Sequence, residues 1–389
     1  MIDFCGGIDV GGTKIASALF TRDGEMLSRE KVPIDKAGGD AAAGQVRGRI
    51  EALAGAARAA GGRLLAAGVC VPGIAYSASG RVWAPNIPGW DQYPLLDKIT
   101  RPEGRLPAVT FPLVLESDRS AYVAGEAWRG AAAGARDAVF LAVGSGIGAG
   151  IVSGGRIVHG HEDIAGAVGW FGLDPRFKPE YEAMGSFEAE ASGNSVGRKA
   201  RAALRAGRPS ALLGLAGGSI EAVTAETVAA AARQGDPLAR EVVAEAVTYL
   251  AMGVANIVSL LDPEVVVLGG GLFQAADLFL EPVRREFRRW AQPLAARSVR
   301  VVPSALGEDA GLYGCGRLAW EKSAHSSVHG IPSRGSEGYC LEDPRPWRGD
   351  PRSGGNRTTG SRGAGELKAI PRAEPERGIL RNPKKNQKA

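Results

Sequence analysis

The sequence predicts an α/β protein built from two lobes. Short apolar runs of strand length alternate with longer segments whose apolar residues recur at helical spacing, a pattern typical of α/β layers. A strand, a glycine-rich turn and a returning strand follow one another twice, at 4–20 and again at 138–155. The chain has 389 residues, of which 44% are apolar, and this is enough to build two cores.

The remaining elements follow from the same periodicity. Apolar residues at helical spacing predict helices, and short apolar runs bounded by glycine or polar residues predict strands. We predict helices at 42–60, 121–129, 221–233, 237–261 and 308–320. We predict strands at 66–71, 109–115, 265–268 and 299–302, in addition to the two strand–turn–strand units.

The first turn lies in the segment FCGGIDVGGTKIASALF, where Asp9 ends an apolar run and Gly11, Gly12, Thr13 and Lys14 follow. Glycine lets backbone N–H groups approach a phosphate closely, and threonine adds a hydroxyl donor. The Asp9 carboxylate can hold a hydrated Mg²⁺ beside bound phosphates. The same residues also suit an ordinary β-hairpin turn. A P-loop is excluded because the G-x-x-x-x-G-K-[ST] spacing is absent.

Two further glycine clusters favour a nucleotide as the ligand. The second strand–turn–strand unit carries glycines and a serine in its turn, so two separate turns can face one polyphosphate. A third cluster follows the strand predicted at 265–268, where glycine lets a flat base or ribose lie against the backbone. The residues of these two clusters that we assign to nucleotide binding are Gly144, Ser145, Gly146, Gly148, Gly269, Gly270 and Gly271.

Six stretches of the chain together resemble the ROK family (repressors, open reading frames and sugar kinases). They are IDVGGTKIA at 8–16, GVCVPGIAYSASGRVWAPNIPGW at 68–90, ESDRSAYVAGE at 116–126, VGSGIGAGIVSGGRIVHG at 143–160, LDPEVVVLGGGL at 261–272 and LGEDAGLYGCG at 306–316. The resemblance implies a two-lobed actin-like ATPase (ribonuclease H-like) fold, with ATP, Mg²⁺ and a sugar acceptor in the cleft between the lobes.

The resemblance also implies how the chain is divided. The N-terminal lobe would span 1–117 and be completed by the helix at 306–322, and the C-terminal lobe would span 118–305. Beyond this, the segment 323–389 loses apolar periodicity and carries 13 Lys or Arg against 7 Asp or Glu. We predict that this basic tail is disordered, and that it accounts for the chain's net charge of +5.

Asp118 is the residue most suited to chemistry. It stands between a predicted strand and a predicted helix, a position that faces the cleft in α/β proteins. A helix cap is the simpler interpretation of an Asp at this place. The resemblance favours catalysis instead, because the family's catalytic Asp occupies this position. Asp118 would then be the general base that accepts the proton of the attacking hydroxyl.

The acceptor site departs from the pattern of the resembled family. Ser117 replaces an Asn, Ala167 replaces a Glu and Trp170 replaces a His, while LDPRFKPEYEAMGSFEAEASG contains none of the family's zinc-binding cysteines. We therefore predict that there is no structural zinc site, with Ser186 standing where the last ligand would be. His159 and His161 remain nearby, and we interpret them as surface or turn residues.

Other acceptor positions are retained. The residues that we assign to acceptor binding are Gly73, Asn86, Ser117, Asp118, Trp170 and Glu188. Glu190 competes with Glu188 for its place. Loss of two hexose-binding polar groups and gain of an indole favour a sugar-like ring other than glucose.

We therefore predict an ATP-dependent kinase that phosphorylates the exocyclic CH₂OH of a C7-cyclitol, a carbocyclic mimic of a hexose, in aminocyclitol natural-product biosynthesis. A glucokinase-like kinase of a hexose or amino sugar is the first alternative, and a catalytically weak sugar-binding pseudokinase is the second. A DNA-binding repressor is disfavoured, because the phosphate hairpin begins at residue 4 and leaves no space for a preceding helix-turn-helix.

The remaining expectations concern location and partners. We expect a cytoplasmic protein, because no signal peptide and no apolar run of about 18–20 residues are visible. The four cysteines are scattered, so we expect them to be reduced. We expect no nucleic-acid or membrane partner, and a homodimer is possible.

Overall fold

Two five-stranded sheets, each built around a hairpin, carry the fold. The structure is a computed structural model that describes residues 2–101 and 108–326. Its strands are β1 (Ile2–Val10), β2 (Lys14–Phe20), β3 (Met26–Pro33), β4 (Gly62–Val71), β5 (Ile74–Tyr76), β6 (Arg81–Trp83), β7 (Leu113–Ser117), β8 (Ala138–Val143), β9 (Ile147–Ser153), β10 (Arg156–Ile157), β11 (Val265–Gly269) and β12 (Arg300–Pro303).

Helices cover the sheets and connect their strands. They are α1 (Gly39–Ala59), α2 (Leu95–Thr100), α3 (Asp118–Arg129), α4 (Tyr181–Met184), α5 (Ser186–Ala191), α6 (Gly193–Arg205), α7 (Leu212–Leu215), α8 (Ala225–Arg233), α9 (Pro237–Leu261), α10 (Ala276–Glu286), α11 (Ala295–Ser298) and α12 (Ala310–Ser326).

The first sheet brings the ends of three parallel strands to one edge. Its order is β3-β2-β1-β4-β7, with β1 antiparallel to β2 and parallel to β4, and β4 parallel to β7. In register, Asp9 of β1 pairs with Cys70 of β4, and Cys70 pairs with Glu116 of β7. The residues that follow these strands therefore lie at the carboxyl edge, where α/β sheets bind ligands.

The second sheet repeats this design. Its order is β10-β9-β8-β11-β12, with β8 antiparallel to β9 and parallel to β11. Gly269 at the end of β11 pairs with Ala142 near the end of β8. Both predicted strand–turn–strand units are thus hairpins followed by parallel strands, and the α/β class is confirmed.

The structure corrects several predicted boundaries. The strand predicted at 109–115 is β7, Leu113–Ser117, because Glu116 and Ser117 continue the pairing with β4. The helix predicted at 221–233 begins at Ala225, after a capping box formed by Thr224 and Thr227. The last helix continues to Ser326, past the predicted start of the tail at 323, and residues from 327 onward lie outside the described residues.

Helix α9 forms the centre of the larger core, which it shares with β8 and β11. By length and composition α9 could cross a membrane, which the sequence analysis did not anticipate. However, 61% of its most apolar window is buried inside the protein. Its apolar surface is therefore used by the core of the fold.

Helix α12 packs unusually closely on the first sheet and on α3. A Cβ added at Gly7 of β1 would lie 2.3 Å from the Leu312 carbonyl oxygen. A Cβ at Gly314 of α12 would lie 1.8 Å from the Ala121 carbonyl oxygen of α3. Only glycine permits such backbone contact, so these two residues fix how near the three elements approach one another.

Three of the four cysteines lie within the described residues. Cys5, Cys70 and Cys315 are free thiols, and all three are buried. They agree with the expectation of reduced core cysteines, whereas Cys340 lies outside the described residues.

The packing of α12 gives the first testable prediction. Gly314→Ala should lower the free energy of unfolding by about 2 kcal/mol or more, because overpacking against an immobile backbone exceeds the gain in helix propensity. Gly48→Ala is the matched control, since Gly48 lies in α1 with nothing within 4 Å of an added Cβ. That control should be neutral or stabilising by up to about 1 kcal/mol. Urea unfolding measures both, and equal effects would contradict the close-packing account.

Candidate active site

Asp9 is the last polar residue of β1 and is partly exposed. The Cys70 thiol donates to its Oδ1 at 3.4 Å, and Gly311 of α12 lies close enough that an added Cβ would be 2.6 Å from Oδ2. Burial raises the pKa of the Asp9 carboxyl to about 6, although the Cys70 hydrogen bond and the charge of Lys14 work in the opposite direction.

Asp118 is the first residue of α3, immediately after β7. The N-cap of this helix is Ser117, so Asp118 itself does not occupy the cap position. Its Oδ1 accepts the Arg119 backbone N–H at 2.7 Å, and the Tyr122 hydroxyl approaches its Oδ2 at 3.5 Å. Burial and, second, the charge of Asp9 raise the pKa of Asp118 to about 7.

The two carboxylates thus face one site from strands β1 and β7, on either side of β4. Strands lie about 4.8 Å apart, so the two backbones are separated by roughly 10 Å. Both pKa values are raised, because the surroundings disfavour negative charge. An arrangement of this kind can accept a proton near neutral pH, and it favours a bound cation.

The predicted phosphate turn is exposed and ordered by its own backbone. The Gly11 N–H donates to the Lys14 carbonyl at 2.8 Å, which closes the turn. Gly12 lies against Asn86, with 3.2 Å between an added Cβ and the Asn86 Cβ. Lys14 reaches Glu308 at 3.2 Å, so its ammonium already has a carboxylate partner. The structure therefore brings Asn86 and the phosphate turn together.

The second glycine turn lines a cavity of about 420 Å³. Gly144, Ser145 and Gly271 are among its lining residues, so two of the predicted glycine clusters meet here. Gly269 and Gly270 serve packing instead, because added Cβ atoms would lie 2.3 Å from the Phe140 ring and 2.6 Å from the Val143 carbonyl. Polar lining residues that the sequence analysis missed are Asn194, Arg201, Thr224, Glu226, Arg233 and Gln274.

Gly146 and Gly148 lie beyond this cavity, on strand β9 and its turn, beneath two side chains. A Cβ at Gly146 would meet Glu188 Oε2 at 2.8 Å, and one at Gly148 would meet Arg119 Cδ at 3.7 Å. Their absent side chains make space for Glu188 and Arg119.

Glu188 and Glu190 differ sharply in their surroundings. Glu188 is partly exposed and accepts the Ile147 N–H at 2.8 Å; burial raises its pKa and this hydrogen bond lowers it. Glu190 is buried and is held by Lys178, Lys199 and the Tyr181 hydroxyl. The geometry favours Glu188 over Glu190 as the group that can reach a ligand.

The remaining acceptor residues vary in how open they are. Trp170 is 58% exposed, so its indole face is available to a ligand. Asn86 is also exposed. Ser117 is buried and its hydroxyl donates to Ser120 Oγ at 3.0 Å. Gly73 packs against the Trp83 carbonyl, where an added Cβ would lie at 2.1 Å.

Hydrogen bonds and ion pairs hold together the segment 173–193, for which no zinc site is predicted. Ser186 donates to the Phe171 carbonyl at 2.7 Å and accepts the Leu173 N–H at 2.8 Å. Within the ranges that the structure describes, no group of three or more His, Cys, Asp or Glu could hold a metal ion. Burial works to raise the pKa of Glu190, but hydrogen bonds from Lys178, Lys199 and Tyr181 outweigh it and lower the pKa.

One polar pair was missed by the sequence analysis. His159 Nε2 lies 2.7 Å from Glu116 Oε2, and Glu116 Oε1 accepts the Ser117 N–H at 2.8 Å. The hydrogen bond to Glu116 raises the pKa of His159, against the opposing effect of burial. His159 is therefore a structural partner of the strand that precedes Asp118, whereas His161 is exposed beside Glu162.

Comparison with known proteins places these features in context. The model of the ROK family matches residues 5–322. A glucokinase of Streptomyces coelicolor is 33% identical over 322 residues, which cover 81% of this chain and 97% of the relative. A ROK family glucokinase from Streptomyces griseus, solved in complex with glucose and AMPPNP, is 31% identical with a TM-score of 0.67, covering 82% of this chain and 99% of that one. A ROK hexokinase from Thermus thermophilus is 31% identical with a TM-score of 0.66, covering 83% and 99%.

The ion-pair cross-link gives a second prediction. Glu190→Gln should lower the free energy of unfolding by about 3 kcal/mol, because it leaves two lysines without their shared buried carboxylate. Glu245→Gln is the matched control, since Glu245 pairs with the same Lys199 but is 47% exposed, and its loss should cost less than about 1 kcal/mol. Urea unfolding distinguishes them, and a Glu190 effect as small as the control would contradict the cross-link.

Proposed function

This chain belongs to the ROK family and is an ATP-dependent sugar kinase, and we propose that it phosphorylates the exocyclic CH₂OH of a C7-cyclitol of the valienone or validone type. Its fold is accordingly that of the actin-like ATPases. The observation that carries the kinase chemistry is the pair of desolvated carboxylates, Asp9 and Asp118, at the carboxyl edge of the first sheet.

Asp118 is the proposed general base. Its pKa of about 7 allows it to be ionised at working pH and still to accept a proton as the attacking oxygen loses it. The Tyr122 hydroxyl and the Arg119 N–H orient its two oxygens, so that its carboxylate needs little reorganisation during the reaction. Most of the remaining acceleration in phosphoryl transfer comes from positioning of the two substrates.

The nucleotide is proposed to lie between the two glycine-rich turns. The cavity beside Gly144, Ser145 and Gly271 is of a size for a base and ribose, and the Gly11–Lys14 turn offers N–H groups to phosphates. Asp9 fits Mg²⁺, because Mg²⁺ needs only one or two protein carboxylates. Its positive charge would also offset the cost of burying the ionised carboxylate, which raises the pKa of Asp9. When bound, Mg²⁺ would neutralise charge on the phosphates.

The acceptor is proposed from what the site lacks. Ala167 offers no polar side chain, and the exposed indole of Trp170 offers an apolar face for a ring. Asn86 and Glu188 supply hydrogen-bonding groups for hydroxyls. A glucokinase-like activity on a hexose or amino sugar is the alternative favoured by the relatives, which are themselves glucokinases and a hexokinase. A weak sugar-binding pseudokinase would retain the acceptor contacts without turnover.

Several other expectations stay predictions. They are the lobe boundaries at 1–117 and 118–305, the homodimer, the cytoplasmic location and the lack of a nucleic-acid partner.

The base assignment gives the third prediction. Asp118→Asn should lower kcat by roughly 10²–10⁴-fold, the range for loss of a general base, while Asp97→Asn at an exposed position of α2 should leave kcat unchanged. In the unaltered protein, kcat/KM should fall as the pH drops below about 7, because the base becomes protonated. Steady-state kinetics from pH 5 to 9 measures both effects.

The stability of the same variant separates catalysis from folding. The folded-state pKa of Asp118 is about 7, above its unfolded value of about 3.9, so the protonated form stabilises the folded protein. This stabilisation is lost as the pH rises through about 7. Asp118→Asn removes this loss, and its Tm at pH 8 should equal or exceed that of the unaltered protein. An inactive variant with a markedly lower Tm would mean that Asp118 is structural, and an active one would mean that another group takes the proton.

The acceptor assignment gives the fourth prediction. A carbocyclic ketone bearing CH₂OH should be phosphorylated with a kcat/KM at least about 10²-fold above that for glucose. The double substitution Ala167→Glu and Trp170→His should shift the preference toward glucose. Efficient phosphorylation of glucose by the unaltered chain would leave the hexokinase alternative, and a failure to release ADP with any acceptor would favour the pseudokinase.

A further inference from the structure

We propose that Arg119 selects the acceptor, by donating guanidinium N–H groups to a ring substituent whose oxygen only accepts hydrogen bonds, namely a keto or a carboxylate oxygen. This inference rests on the proposed kinase function and concerns the same site. It makes Arg119 a specificity-determining residue that contacts the acceptor beside the candidate base.

The first step is the position of the Arg119 side chain. Alternate residues of a strand share one face, so Gly146, Gly148 and Gly150 form a side-chain-free stripe along β9 and its turn. Glu188 lies over Gly146, Arg119 Cδ lies over Gly148, and the Arg119 carbonyl of α3 lies over Gly150. The Arg119 side chain therefore runs along this stripe between α3, which begins with Asp118, and Glu188.

The second step is the state of its donors. Arg119 Nη2 donates to the Asp163 carbonyl at a long 3.3 Å. Over the residues that the structure describes, Arg119 Nε is shielded from solvent and has no hydrogen-bond partner. A buried donor of this kind costs roughly 1–3 kcal/mol when it is left unsatisfied. A residue that retains this cost is poised to gain from a ligand that supplies the missing oxygen.

The third step is that the nearby carboxylates do not explain the presence of Arg119 as an ion-pair partner. The nearby carboxylates already have other partners: Glu116 binds His159 and the Ser117 N–H, and Asp118 binds the Arg119 N–H and Tyr122. Their charges raise the pKa of Arg119, but burial is the larger effect and lowers it. Guanidinium stays charged in proteins, so its donors remain available.

The fourth step concerns the ligand chemistry. Guanidinium is planar, has donors only and matches oxygens that are pure acceptors, above all carboxylate and carbonyl oxygens. The oxygen that meets Arg119 is therefore better matched as an oxo oxygen than as a hydroxyl, whereas the Glu188 carboxylate remains available to the acceptor's hydroxyls.

The loop that meets Arg119 is also tied across the site. The Asp163 carboxylate accepts both the Ser77 N–H at 2.9 Å and the Ser77 hydroxyl at 3.1 Å. Ser77 follows β5, which pairs with β6 in a separate two-stranded sheet, whereas Asp163 follows β10 of the second five-stranded sheet. The loop carrying Asp163 is thus anchored to Ser77 while its carbonyl accepts from Arg119, and the low-dielectric surroundings of the buried Nε strengthen a hydrogen bond formed there.

The test uses the full chain and three acceptors that all carry CH₂OH: glucose, a carbocyclic hydroxymethyl ketone and muramic acid, which carries a carboxylate. Arg119→Met removes the donors, Arg119→Lys keeps the charge without the fork, and Arg176→Met removes an exposed arginine outside the site as a control. We measure kcat and KM for each acceptor, and Tm for each variant.

The unaltered protein should prefer either the ketone or muramic acid over glucose, and which of the two it prefers identifies the source of the oxygen. Arg119→Met should raise KM and lower kcat/KM for the preferred acceptor by about 10²-fold or more, with less than about fivefold change for glucose. Arg119→Lys should give a kcat/KM between those of the unaltered protein and Arg119→Met, and Arg176→Met should leave kcat and KM unchanged.

Equal losses on all acceptors in Arg119→Met would overturn the inference while leaving the kinase function intact, because Arg119 would then act only on the base. Preference for glucose by the unaltered protein would overturn it also. Failure to phosphorylate any acceptor would overturn the kinase function together with the inference. If Arg119→Met does not fold, Arg119→Lys provides the same test: a loss of kcat/KM confined to the preferred acceptor supports the inference, and equal losses on the three acceptors overturn it.

Discussion

The close approach of α12 to β1 and α3 is the constraint on which the site depends. Gly7 and Gly314 let the helix backbone touch the sheet on one side and α3 on the other. Gly311, one turn earlier, approaches the Asp9 carboxylate. Because α3 begins at Asp118, the same helix that covers Asp9 also fixes the element that carries the second carboxylate. The separation of the two acids is therefore set by backbone contacts, which side-chain rearrangement cannot relax.

This arrangement places two carboxylates whose ionisation is unfavourable at the edge where phosphoryl transfer is proposed to occur. The two carboxylates lie at a desolvated edge, where burial raises the pKa of both and the charge of Asp9 further raises the pKa of Asp118. Two other buried acids, Glu126 and Glu190, have several partners each. Glu126 accepts the Ala131 and Leu306 N–H groups, and Glu190 is held by two lysines. At Asp9 and Asp118 burial disfavours the charge, and Arg119 Nε has no hydrogen-bond partner, as is common where a ligand completes the environment.

The sequence was sufficient for features that depend on local pattern. The hairpin after Asp9 and the strand-to-helix junction at Asp118 follow from glycine, chain polarity and apolar runs close together in the chain. The roles of individual glycines were harder to predict from the sequence, because Gly269 makes room for Phe140, a residue far away in the chain. The pair His159 and Glu116 and the unpaired Arg119 Nε were also inaccessible, since they arise from tertiary placement that no spacing encodes.

The position of α12 in the chain also affects the order in which the protein can mature. β1 is made first, but its contact with Leu312 at Gly7 joins residues some three hundred positions apart. A contact of such long sequence separation forms late and slows folding, because its loop-closure entropy must be overcome first. During synthesis, the first sheet emerges without the helix that covers it, and its apolar face stays open to chaperones or to misassembly. The enzyme therefore gains its second carboxylate's final position only after α12 has been translated.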